Sequence, residues 1–85
     1  MITAQEAREL SKDKDYNIRL QSFMRRLDKE IREAAEHKSR HILFTFRDPA
    51  CVLISEDLCT ELLNNNFDVS RAIGDNDYVV LNISW

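Results

Sequence analysis

The stretch YVVLNISW at residues 78–85 constrains the fold more than any other part of this 85-residue chain, because its side chains alternate in character. Every second position carries a large apolar residue: Val79, Leu81, Ile83 and Trp85. This spacing is the period of a half-buried β-strand whose apolar side faces a core. The preceding FDVSRAI and the turn GDND predict that the strand is the second arm of a hairpin.

A third strand is predicted by HILFTF, which has the same alternation. Ile42, Phe44 and Phe46 share one side, and Leu43, Thr45 and Arg47 share the other. The Asp48-Pro49 pair then ends the strand. We therefore expect a mostly antiparallel sheet of about three strands.

The N-terminal half predicts a long helix. Thr3 with Glu6 forms a capping pattern, so the helix should begin at Ala4 and continue to about His37. Its apolar stripe recurs at three- and four-residue steps: Leu20, Phe23, Met24, Leu27, Ile31, Ala34 and Ala35. Ile18 lies off this stripe, so either the charged residues 11–15 kink or interrupt the helix, or one long helix carries a second apolar seam.

A shorter helix is expected at EDLCTELLNNN, with Ser55 as its N-cap and with Asn64 to Asn66 at its end. Ile54 and Cys59 could form a hydrophobic staple across that cap. Residues 50–54 are ambiguous between an extended connection and a helical turn. Together these elements predict a single α+β domain over residues 1–85, with a long and a short helix packed on one face of the sheet.

The opposite face of that sheet would be half apolar, since it carries Tyr78 and Val80 beside Leu43 and Thr45. Such a face is either scattered surface hydrophobics or a contact site. We take Tyr78, Val80 and the off-stripe Ile18 as candidate partner-binding residues.

Composition excludes several classes of function. The net charge of −3 creates no general attraction to nucleic acid, which we do not expect as a partner. No apolar run could span a bilayer, and MITAQEAREL lacks the features of a signal peptide, so we expect a cytoplasmic protein that does not interact with membranes. Cys51 and Cys59 are therefore expected to be free thiols.

No catalytic or cofactor-binding pattern stands in the sequence. His37, His41, Cys51 and Cys59 have the wrong spacing for a zinc site, and Gly74 is the only glycine, so no glycine-rich loop can bind phosphate. We expect no enzyme activity, no metal and no cofactor.

The basic residues of the long helix are interleaved with Glu33 and Glu36, which is typical of a solvated surface. An alternative hypothesis is an oligomer that holds a nucleotide signal or another small anion between subunits, using Arg25, Lys29 or Arg40.

The opening MITAQEAREL, the helix end IREAAEH, the LCTELLNNNFDV segment and the final NISW resemble small α+β proteins encoded by tailed bacteriophages, most of them of unknown function. This resemblance implies expression in an infected bacterium and identifies no site residues. Phage accessory proteins of this size commonly bind and block a host or defence protein. Our functional hypothesis is therefore a non-enzymatic phage protein that binds and modulates a host protein, as a homo-oligomer.

Overall fold

The structure is a computed structural model that describes residues 1–12 and 14–85. It contains three helices and three strands in the order α1 (Ala4–Ser11), α2 (Tyr16–Glu36), β1 (His41–Arg47), α3 (Cys51–Asn64), β2 (Asp68–Ile73) and β3 (Tyr78–Ser84). The prediction of an α+β fold is confirmed.

The three strands form one antiparallel sheet with β3 in the middle, between β1 and β2. Leu81 at the centre of β3 lies opposite Phe44 on one side and Arg71 on the other. The hairpin between β2 and β3 closes with a hydrogen bond of 2.8 Å from the Gly74 N–H to the Tyr78 carbonyl. The predicted strands and hairpin are therefore confirmed.

One face of the sheet is buried in the core. Its most buried residues are Phe44, Phe46, Val79, Leu81 and Ile83. The helices add the other buried apolar side chains: Tyr16, Leu20 and Leu27 from α2, and Cys51, Ile54, Leu58 and Leu62 from α3. Burial of each large side chain contributes about 1.5–3 kcal/mol, so this cluster is the main source of stability.

Trp85 continues the inward side of β3, as the alternation predicted. Its backbone N–H donates to the Arg40 carbonyl at 3.0 Å, which extends the pairing of β1 with β3. Its indole packs edge-on against Phe67, with ring centroids 6.0 Å apart. The C-terminal residue is thus held by both its backbone and its side chain.

The prediction of one long helix from Ala4 to about His37 is wrong, because two helices occupy that span. Thr3 does cap the first of them, since its Oγ1 accepts from the Glu6 N–H at 3.1 Å. Lys12 is extended, with φ −83° and ψ 129°, so the interruption that Ile18 suggested is present near residues 11–15. Of these residues, Asp13 lies outside the described part of the chain.

Ionic contacts with α3 hold the end of α1 beside the interruption. Arg8 of α1 lies 2.6 Å from the Glu56 carboxylate, and Lys12 lies 3.8 Å from Asp57. The Lys12 ammonium also lies over the Tyr16 ring, 4.9 Å from its centroid. These contacts hold the end of α1 against α3 and against the start of α2, and sequence periodicity alone does not reveal them.

The predicted start of the short helix is also wrong. α3 begins at Cys51, so residues 51–54 are helical and Ser55 lies inside the helix rather than at its N-cap, which removes the staple between Ile54 and Cys59. Ser55 is buried, and its Oγ donates to the Val52 carbonyl at 2.9 Å. The predicted end is confirmed, because α3 stops at Asn64 and Asn66 has a left-handed φ of 67°.

Candidate partner-binding surface

The face of the sheet opposite the core is largely accessible to solvent. We call it the open face; it consists of His41, Leu43, Thr45, Arg47, Asp68, Ser70, Ala72, Tyr78, Val80, Asn82 and Ser84. The side chain positions follow from the register, because residues directly opposite each other in an antiparallel sheet point to the same side. Leu43 is 60% exposed and Tyr78 is 36% exposed on this face.

An apolar band crosses the middle of the open face. The register places Thr45, Val80 and Ala72 side by side across the three strands. Leu43 and Tyr78 lie in the neighbouring rows on either side, so each is a diagonal neighbour within reach of the central row. Exposed apolar side chains from all three strands are therefore contiguous rather than scattered.

Polar groups border this band at both ends. At one end, the Arg47 guanidinium lies over the Tyr78 ring, 5.7 Å from its centroid. At the other end, the His41 ring and the Asn82 side chain share a hydrogen bond. An apolar centre with hydrogen-bonding groups around it is the arrangement of a protein-contact surface, in which the centre supplies affinity and the rim supplies orientation.

Two of the three predicted partner-binding residues meet on this face, since Tyr78 and Val80 are successive outward residues of β3. Ile18 lies elsewhere, on α2, where it is 71% exposed between the buried Tyr16 and Leu20. Ala72 was not predicted, because β2 is mostly polar and its sequence does not show which side of the strand faces the core. The signal that could have found it is the pairing of β2 with β3.

The basic residues of the alternative hypothesis are not clustered. Arg25 and Lys29 are exposed one turn apart on α2, and the Lys29 Nζ lies 3.9 Å from Glu33. Arg40 follows the end of that helix, and the twelve residues from Arg25 to Glu36 alone extend about 16 Å. The fold does not bring these cations together around one anion.

The residues considered for zinc binding are also dispersed. Within residues 1–12 and 14–85, no three histidine, cysteine or acidic side chains are grouped so that they could hold a metal ion. Cys51 and Cys59 are free thiols, as predicted. Burial raises the pKa of the Cys59 thiol, with a smaller contribution from Glu56 and an opposing one from Arg71, so the thiolate is disfavoured.

Apart from the open face, a concave surface lies between α2 and α3. It is a cleft of about 350 Å³ whose apolar wall includes Met24, Ile31 and Phe67, and its rim carries Asp28 and Glu61. Apolar side chains and two solvated carboxylates offer shape but no reactive group.

Comparisons with known protein families, with characterised proteins and with solved structures give no match to this chain. Among the described residues, no helix has both the length and the hydrophobicity needed to cross a membrane.

Proposed function

We propose that this chain is a non-enzymatic binding protein that engages another protein through the open face and thereby modulates it. The observation that carries this proposal is the contiguous apolar band, with Leu43 60% and Tyr78 36% exposed at its two sides. Burying the exposed part of these side chains at an interface contributes about 1–2 kcal/mol for Leu43 and up to about 1 kcal/mol for Tyr78. Tyrosine is also enriched among the residues that dominate the affinity of protein contacts.

In this proposal α2 and α3 cover the core side of the sheet, and the open face is available to the partner. The Phe23 ring of α2 lies 4.8 Å from the Phe46 ring, centroid to centroid, on the inward side of β1. The Ser55 Oγ of α3 accepts a hydrogen bond of 3.0 Å from Arg71, which the register places on the same side as Leu81. Both contacts support helix packing on a single face.

The identity of the partner rests on the resemblance to proteins of tailed phages. It suggests a host protein, for example a defence component, in the cytoplasm of an infected bacterium. The chain would act there as a homo-oligomer, because an 85-residue domain buries a limited core and gains stability from association. Ile18 remains a prediction for a second contact, since it is exposed on α2 rather than on the open face.

Affinity capture from infected bacteria tests this function. The baits are the wild-type chain and the double variant Leu43→Ser/Tyr78→Ser. The matched control is Val52→Ser/Leu63→Ser, which removes comparable exposed apolar surface from α3. We expect the wild-type chain and the control to capture the same protein and the open-face variant to lose it. Equal capture by all three baits would contradict a role for the open face.

A further inference from the structure

The outer edge of β1 presents backbone groups that point away from the sheet. The Asp48 N–H and the Arg40 carbonyl form hydrogen bonds on the β3 side of the strand. Because the backbone groups of successive residues point in alternate directions in an antiparallel ladder, the N–H and carbonyl groups of the odd-numbered residues of β1 point away from β3. The Thr45 carbonyl does point outward, since it accepts from the Arg26 Nη2 at 2.6 Å. Among the described hydrogen bonds, none reaches the outward N–H or carbonyl of Leu43.

The two edges of the sheet are unequal. β2 carries the charged residues Asp68 and Arg71, and α3 packs against it. β1 is seven residues long and mostly apolar, with no charge between His41 and Arg47 and no proline. α2 packs against β1 as well, and the outward carbonyls of His41 and Thr45 accept from Ser39 and Arg26, so the unbonded stretch of this edge is at Leu43. Long, apolar edge strands pair readily with another strand, and natural proteins protect or use them. β1 is therefore the edge at which another strand can pair.

A cleft of about 390 Å³ lies beside this edge, between α2 and β1. Glu30, Glu33 and His37 line it from the helix, and Ile42 and Leu43 line it from the strand. The Oε2 atom of Glu30 is buried and has no hydrogen-bond partner among the described residues. A buried carboxylate oxygen of this kind needs a donor, and an incoming cation beside β1 would supply one.

The charges along this side of α2 are self-complementary. Arg26 lies near Thr45, and its Nε is 4.0 Å from Glu30 Oε1 of the same chain, a pair that leaves Glu30 Oε2 without a donor. Glu33 lies farther along toward the end of the helix, 3.9 Å from Lys29. If a second copy is placed in the opposite direction, the arginine of each copy approaches the carboxylates of the other. We propose that two copies of this chain associate through their β1 edges, antiparallel, to form a continuous six-stranded sheet flanked by antiparallel α2 helices.

Charge matching also selects the register. From Thr45 to Leu43 the strand advances about 6.7 Å, which a helix covers in four to five residues, so Leu43 lies at about the level of Glu30. A two-fold axis at Phe44 pairs Leu43 with Thr45 of the second copy and brings Arg26 to the level of Glu30 of that copy. An axis at Thr45 would instead place the two Arg26 side chains against each other, and an axis at Leu43 would do the same to the two Glu30 carboxylates.

This association enlarges the surface available to a partner. Seven-residue strands extend about 24 Å and three strands span about 14 Å, so one open face covers about 340 Å². A standard interface buries about 800 Å² per partner, which one face cannot provide and two joined faces, at about 680 Å², nearly do. The inference rests on the homo-oligomer part of the proposed function and specifies its interface.

The first test is the mass of the chain in solution, measured by light scattering during gel filtration. We expect the wild-type chain at twice its 10.0 kDa and the variant Leu43→Pro at the mass of one chain. Proline at this outward N–H removes no hydrogen bond to β3. The control Ile73→Pro makes the same change at the β2 edge, where the outward residues are odd-numbered as well, and should stay dimeric.

A charge exchange tests the register without proline. Arg26→Glu and Glu30→Arg should each weaken dimerisation at least about tenfold, and the double variant should restore it. Arg25→Glu, on the solvent side of the same helix, should have no effect. In addition, the double variant Leu43→Cys/Thr45→Cys should give a covalent dimer on oxidation, whereas Ile73→Cys should not.

The outcomes separate this interface from the proposed function. A monomeric wild-type chain would overturn both the interface and the homo-oligomer, although binding to a host protein could still be measured. A wild-type dimer that persists in folded Leu43→Pro would overturn the β1 interface alone. If circular dichroism shows that Leu43→Pro does not fold, the charge exchange and the cysteine pair decide, and failure of both would overturn the proposal.

Discussion

Arg19 and Asp48 are joined by two hydrogen bonds, from Nε to Oδ2 at 2.8 Å and from Nη2 to Oδ1 at 3.3 Å. The Asp48 side chain is only 6% exposed. Its Oδ1 also accepts from the Ala50 N–H at 2.9 Å, and its backbone N–H donates to the Asp77 carbonyl at 3.2 Å. One buried aspartate thus links α2, the start of α3 and the turn before β3.

Replacement of this carboxylate should be strongly destabilising. Asp48→Asn keeps an oxygen for the Ala50 N–H but removes the charge that Arg19 faces in a poorly solvated site. We expect the free energy of unfolding to fall by about 2–4 kcal/mol, as measured by urea denaturation.

Asp28→Asn is the matched control, because Asp28 and Arg32 form an exposed pair at 2.7 Å on α2. That pair should contribute less than about 0.5 kcal/mol. Equal losses in the two variants would show that the Asp48 contact has no special role.

Tyr16 provides a second buried polar contact, since its hydroxyl donates to the Asp57 Oδ2 at 2.5 Å. Tyr16→Phe should destabilise the fold by about 1–2 kcal/mol at neutral pH, because the hydrogen bond is lost while the partly exposed carboxylate regains water. Thermal or urea unfolding measures this difference.

The contact between Tyr16 and Asp57 also makes the stability of the fold depend on pH in alkaline solution. Burial raises the pKa of Tyr16 well above its ordinary value, and the hydrogen bond to Asp57 adds to the effect. As the pH rises above about 10, the unfolded chain loses the tyrosine proton while the folded chain keeps it, so the stabilisation by Tyr16 decreases. The stability difference between the wild-type chain and Tyr16→Phe should therefore shrink above pH 10; a difference that grows there would contradict the assigned contact.

Local sequence patterns were enough to predict the structure where residues close together in the chain determine it. The alternation in β1 and β3 and the cap at Thr3 were readable because side chains two or three residues apart decide them. The start of α3 was not, since Ser55 is a good capping residue and the apolar residues 50–54 have no usable period. Tertiary contacts decide it: Ser55 is buried and bonded to Arg71, and Asp48, held by Arg19, accepts from the Ala50 N–H just before the helix.

The open face could be predicted from the sequence only in part, because its composition also depends on contacts between distant parts of the chain. Alternation places Tyr78 and Val80 on one side of a strand, but membership of Ala72 depends on how β2 aligns with β3. Likewise, nothing in the helical period of α2 indicates that Arg26 reaches the backbone of Thr45.

The thiols should be slow to react in the folded chain. Cys51 is buried, and the pKa of Cys59 is raised mainly by burial, so few thiolates are available. We expect slow modification by a chromogenic disulfide reagent near neutral pH and rapid reaction of both thiols in denaturant. Rapid modification of the native chain would show that the α3 packing is less closed than described.

Lys38 adopts a left-handed φ of 63° just after α2, where the Ser39 N–H donates to the Ala34 carbonyl at 2.9 Å. Side chains with a Cβ are strained in this conformation, and glycine is not. Lys38→Gly should therefore stabilise the chain by about 0.5–1 kcal/mol in thermal unfolding. Lys29→Gly, inside α2, should destabilise it by about 1 kcal/mol. A loss in both variants would argue against the left-handed cap.

The most direct test of the open face as the working surface is a methyl NMR titration of the labelled chain with the captured host protein. We expect the methyl signals of Leu43, Ala72 and Val80 to shift or broaden on binding, while those of Val52 and Leu63 on α3 stay unchanged. Changes confined to Val52 and Leu63, with the sheet methyls unaffected, would contradict the proposed function.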